Sequence, residues 1–144
     1  MVEHVAYEMN EVEAQYRAVA IEGGPTGSAR NAAVLAFLIH ARNLLAFYWP
    51  PPRRDRRKGD VFAYDFVPAL EIAQLGNDPS LSELKKAIST RVAHLCLLRL
   101  EKLQWVANVI RYYLTRGRAE FLADLDEPYR TEFAKHGVAY TESN

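Results

Sequence analysis

Cysteine occurs once in the 144 residues, at Cys96. An intrachain disulfide is therefore excluded, and a reducing compartment is expected. Net charge is also missing, because 18 basic and 18 acidic residues cancel. The chain as a whole has no pull toward nucleic acid or anionic lipid. The uninterrupted apolar run, Ala32 to Ile39, is far short of the roughly 20 residues a membrane span needs. The N-terminus (MVEHVAYEMNEVEAQ) is acidic and lacks an apolar signal core, so the expectation is a cytoplasmic chain with no membrane contact. Strand alternation, internal repeats and low-complexity tracts are absent as well.

Other absences narrow the chemistry. One Cys and four dispersed His offer no paired ligand spacing, so no metal site is expected. Gly23, Gly24 and Gly27 surround Pro25 and follow a helical pattern rather than a strand, which is the wrong context for a phosphate-binding loop. No nucleophile elbow is present. The expectation is a chain without a cofactor.

What is present is helical periodicity. Val2, Val5, Met9, Val12, Tyr16 and Val19 recur at spacings of three and four, which puts all six on one stripe of a helix over 2–21. Gly23, Gly24, Pro25 and Gly27 stop it. Ser28 is the expected N-cap of a second helix, apolar nearly all round, running to Tyr48 before Pro50, Pro51 and Pro52. The short link predicts antiparallel packing of these two helices. Asp60 to Leu75 offers one or two short helical turns, interrupted at Pro68.

Ser80 and Glu83 form the pattern of a capping box at the start of a third helix. A fourth carries Leu103, Val106, Ile110, Tyr113 and Leu114 and is expected to end at Gly117. One helix from Ser80 to Arg116 would be about 55 Å long. The first two helices match only about 30 Å, so a break is expected near Cys96 to Leu100. The tail from Arg118 to His136 predicts one or two short helices broken at Pro128. The predicted fold is all-α: one domain over 1–144, an antiparallel four-helix-type bundle with a long connection between its second and third helices and short C-terminal helices.

Three constellations could carry chemistry. The apolar second helix places His40 and Asn43 three apart on one face, with Arg42 about 100° away from Asn43. His40 could move a proton and Arg42 clamp an anion. Alternatively His40 donates to a carbonyl across the bundle while Arg42 pairs with Asp60 or Asp65. Arg91 and His94 are also three apart, and a cation beside an imidazole suits phosphodiester chemistry. Their structural reading is a surface Arg and a half-buried His near a helix end. Third, Arg53, Arg54, Arg56, Arg57 and Lys58 stand against Asp55 alone, a local charge of +4. That cluster could track a phosphate backbone, with Tyr48, Trp49, Phe62 and Tyr64 nearby for base stacking.

The strings FLIHARNLLAFYW (Phe37 to Trp49), DVFAYDF (Asp60 to Phe66) and TRVAHL (Thr90 to Leu95) resemble an uncharacterised bacterial family of small helical proteins related to HEPN domains. The resemblance spans about Ala29 to Arg99. It implies an antiparallel helical bundle that acts on or binds RNA, in a defence or toxin–antitoxin setting, paired with a second copy or a cognate protein. The activity implied is that of a metal-independent endoribonuclease. By the same resemblance His94 would be the catalytic histidine, Arg91 its basic partner, and Arg42 and Asn43 the polar pair from the facing helix. The family motif is R-x4–6-H, whereas Arg91 to His94 is R-x2-H. A literal match at Arg130 to His136 lies in the tail, outside the core helix where the motif belongs. The alternative expectation is a non-enzymatic interaction module in which the Arg, Asn and His side chains form a structural network.

Overall fold

The computed structural model describes residues 1–20, 24–51, 53–67, 78–93 and 103–139; the side chains of residues 53, 91, 93 and 103–106 lie outside that description. The fold is all-α, with no strand among the described residues. Helix α1 spans Val2–Ala20, α2 Gly27–Tyr48, α3 Pro79–Ala93, α4 Leu103–Ala123 and α5 Glu127–Lys135. Two 3-10 turns, Arg53–Asp55 and Ala63–Asp65, lie between α2 and α3.

Helix α1 buries the predicted stripe: Val5, Met9, Val12 and Val19 are buried and Val2 and Tyr16 pack beside them. Helix α2 is the hub and packs against α1, α3 and α4. By length and apolar content it is the one described helix that could cross a membrane. In the fold, Val34, Phe37, Leu38, Ala41, Leu44 and Leu45 are buried. Glu8 meets His40 and Asn43 while Tyr16 meets Phe37, so α1 and α2 run antiparallel as the short link predicts. Contacts of Tyr16 with Asn108 and of Glu13 with Arg111 set α4 antiparallel to α1 as well.

Several boundaries differ from the sequence expectation. Helix α2 begins at Gly27, one residue before Ser28, with Thr26 at its N-terminal flank. The cap of α3 is Asp78, not Ser80: its Oδ1 accepts the Ser80 amide at 2.8 Å, and its carbonyl accepts from Leu81 and Ser82. Pro79 then takes the first helical position, where its missing N–H costs nothing. Its other oxygen, Asp78 Oδ2, accepts from the Tyr113 hydroxyl at 2.7 Å and so joins the start of α3 to α4. Those hydrogen bonds, Tyr113 first and the Ser80 amide second, hold the Asp78 carboxyl below its ordinary pKa.

Gly117 does not end α4, which continues to Ala123. A Cβ at Gly117 would lie 2.7 Å from Tyr48 Cδ2 and 2.9 Å from Trp49 Cη2. The glycine is there to admit two aromatic rings, not to terminate a helix. Likewise Pro128 sits in the first turn of α5 and starts that helix rather than breaking one. The predicted break at Cys96 to Leu100 and the interruption at Pro68 fall outside the described residues.

The long connection is anchored where it is described. Phe66 is buried, with ring centroids 6.0 Å from Phe121 and 5.8 Å from Phe133. One aromatic cluster therefore ties the connection to α4 and α5. At the end of α2, Lys85 Nζ donates to the Trp49 carbonyl at 2.6 Å, and burial lowers the Lys85 pKa.

Candidate functional site

His40 and Asn43 share a face, as their spacing predicts, but that face is turned toward α1 rather than α3. Glu8 Oε2 lies 2.8 Å from His40 Nδ1, and Glu8 Oε1 accepts from Asn43 Nδ2 at 3.1 Å. The Tyr7 ring meets the His40 ring edge-on at 5.8 Å. One carboxylate thus engages both side chains and links the first two helices. A carboxylate in this position repels a phosphodiester, so the cluster is suited to holding helices together.

Arg42 is exposed on α2, and among the described residues no carboxylate lies within ion-pair distance of it. The pairing with Asp60 or Asp65 does not form. Asp60 Oδ2 accepts the Arg57 amide at 2.8 Å and Asp65 Oδ2 accepts the Phe62 amide at 2.8 Å. Arg91 has its backbone in α3, while its side chain and all of His94 fall outside the described residues.

The basic segment is an organised loop with the Arg56 side chain turned inward. Arg56 donates from Nε to the Pro51 carbonyl at 2.9 Å and from a terminal nitrogen to the Tyr64 hydroxyl at 2.7 Å. Its guanidinium also lies 5.1 Å from the Phe62 ring centre and 5.0 Å from that of Tyr64. Planar arginine can do all of this at once, whereas a lysine cannot. A turn follows: the Asp60 amide donates to the Arg57 carbonyl at 3.2 Å, with Gly59 at φ 98° in the left-handed region. Arg54, Arg57 and Lys58 are exposed around this frame, and the Arg53 side chain lies outside the description. Of the aromatics expected to stack on bases, Tyr48, Trp49 and Phe62 are buried instead, and Tyr64 stacks on Phe62. Hydrophobic burial of large rings outweighs their exposure at a loop.

A cavity of about 370 Å³ opens between α1, α2 and α4, with Met9, Val12, Phe37 and Leu44 on its apolar side and Arg111 and Arg118 among its polar residues. Glu13 Oε1 lies 3.2 Å from Arg17 Nε and 3.6 Å from Arg111, whose guanidinium also covers the Tyr16 ring at 4.5 Å. Tyr48 contributes to the wall, while its hydroxyl is buried out of reach of the cavity, with no hydrogen-bond partner among the described residues. Burial pushes that hydroxyl well above the ordinary tyrosine pKa, and the nearby Arg118 charge opposes the shift.

Sequence reasoning missed both Glu8 and this cavity. Glu8 falls three residues after Val5 and four before Val12, on the flank of the α1 stripe, a legible hint of partial burial. Arg111 and Arg118 are two turns apart on one face with Leu114 and Leu122, a charged edge beside an apolar patch. Among the described residues no group of three His, Cys, Asp or Glu side chains could hold a metal ion. No family model matches the chain, and no curated protein or solved structure is significantly similar to it.

Proposed function

We propose that this chain is a helical RNA-binding module that holds RNA without cleaving it. The observation that carries the reading is the Arg56 frame, which ties Pro51 to Tyr64 and leaves Arg54, Arg57 and Lys58 outward. A loop already held by Arg56 loses little backbone freedom when its outward cations meet a phosphate backbone. The resemblance to HEPN-related bundles supports RNA as the polyanion. The engagement of His40 and Asn43 by Glu8 supports a structural use of the α2 polar side chains, with binding separate from catalysis.

Fluorescence anisotropy with a labelled single-stranded RNA tests this. Three neutralised phosphates on a single strand predict a slope of log affinity against log salt of roughly −2. The triple variant Arg54→Glu, Arg57→Glu, Lys58→Glu should abolish most of that binding and leave the helical circular dichroism spectrum unchanged. The RNA should be recovered intact. Cleavage abolished by His94→Ala would replace this reading with the nuclease one. Salt-independent capture of an acidic protein, with no RNA binding, would replace it with a protein-interaction module.

A further inference from the structure

The connection from Trp49 to Val67 carries four aromatic rings, and each is already engaged. Trp49, Phe62 and Phe66 are buried. The Tyr64 ring stacks on Phe62 at 5.5 Å, its hydroxyl accepts from Arg56, and the Arg56 guanidinium lies over it. The exposed tyrosines, Tyr7, Tyr112 and Tyr129, belong to α1, α4 and α5 instead. What the loop turns outward is cations. One further cation is held beside them. Lys85 Nζ donates to the Trp49 carbonyl at 2.6 Å, and two residues on, the Pro51 carbonyl accepts from Arg56 Nε at 2.9 Å. Helix α3 and the loop are therefore tied to one stretch of chain no more than about 7 Å long. Lys86, next to Lys85 on α3, is exposed. Asp55 lies 3.8 Å from Arg54 with both side chains exposed, a contact that water and salt weaken.

We propose that Arg54, Arg57, Lys58 and Lys86 form one surface that binds the phosphate backbone of paired RNA in preference to unpaired strands, whatever the sequence. This rests on the RNA-binding function proposed above and names the form of RNA that is taken. A duplex carries its phosphates more densely than a single strand, so the same cations release more counterions from it. Its rigid backbone also meets cations on a fixed frame without the ordering that a flexible strand must undergo. Proteins that hold unpaired strands stack the bases on aromatic rings, and the rings of this loop are committed to the core and to Arg56. In paired RNA the deep major groove keeps base edges out of side-chain reach, which leaves phosphates and ribose hydroxyls as the contacts.

Fluorescence anisotropy of the full chain tests this with three labelled probes of about 20 nucleotides per strand, long enough to span two grooves of a duplex. They are an RNA strand with no self-pairing, the RNA duplex made from it, and the DNA duplex of the same sequence. The RNA duplex should bind at least about fivefold more tightly than the single strand, with a salt slope of roughly −3.5 for four neutralised phosphates. Lys86→Gln, an exposed change, should reduce the size of that slope by about one. A second RNA duplex of unrelated sequence should bind equally well. 2-Aminopurine placed in the single strand should keep its fluorescence when protein is added, because no ring stacks on it. A single strand bound as tightly as the duplex, or 2-aminopurine quenched by the protein, would overturn the preference while RNA binding itself stood. An unchanged slope in Lys86→Gln would remove α3 from the surface. Tighter binding of the DNA duplex would overturn the assignment to RNA, and no binding of any probe would remove the RNA-binding function with it.

Discussion

Gly117 lies under the ring of Tyr48 so closely that a Cβ on it would be 2.8 Å from Tyr48 Cγ and 2.7 Å from Cδ2. Neither ring atom can yield easily, since Tyr48 is buried and its ring also packs against Phe47, Trp49 and Phe121. Helix propensity alone says that Gly117→Ala stabilises α4 by about 1 kcal/mol. Steric overlap reverses the sign, and a net loss of about 1–3 kcal/mol is expected. Urea unfolding of the two proteins decides between these signs.

The orphan hydroxyl of Tyr48 makes the opposite forecast. Tyr48→Phe removes a buried polar atom that has no partner among the described residues and keeps the ring that fills the core. The variant should be as stable as wild type or more so, by up to about 1–3 kcal/mol. Thermal melts of the two proteins check this.

Asp78 links pH to stability. Its folded pKa is depressed, so its contribution is full above the unfolded value, about 3.9, and is lost as pH falls through the lower folded value. Asp78→Asn should therefore lower Tm at neutral pH. The gap to wild type should close in acid below about pH 4. A gap of constant size down to acid would contradict the role of the charged carboxylate.

Arg56→Lys is nominally conservative but should behave as a disruption. A lysine ammonium cannot reach both the Pro51 carbonyl and the Tyr64 hydroxyl while lying over two rings. Tryptic cleavage within Arg57 to Asp60 should accelerate several-fold at unchanged global stability, and RNA affinity should fall with it. Limited proteolysis under native conditions reads the first effect directly.

These relationships show which parts of the molecule were legible in the sequence. The α1 stripe and the extent of α2 could be read because helical period and proline position are local properties. Gly117 and Pro128 were misassigned as stops because glycine and proline serve two purposes each. Only the neighbours, Tyr48 and Trp49 in one case and the first turn of α5 in the other, show which applies. The cap at Asp78 was available from the Asp-Pro pair, but the capping-box pattern at Ser80 competed with it. Glu8 was illegible as a partner for His40 and Asn43 because 32 and 35 residues separate them. Charge patterning along one helix carries no information about such a distant contact.

His40 and Asn43 join α2 to α1 through Glu8, and a double-mutant cycle on Glu8 and His40 tests that most directly. Glu8→Ala, His40→Ala and the double variant should be unfolded in urea alongside wild type. A coupling of about 1 kcal/mol is predicted for this half-buried contact, with each single variant less stable than wild type. A coupling indistinguishable from zero, with His40→Ala as stable as wild type, would contradict the account.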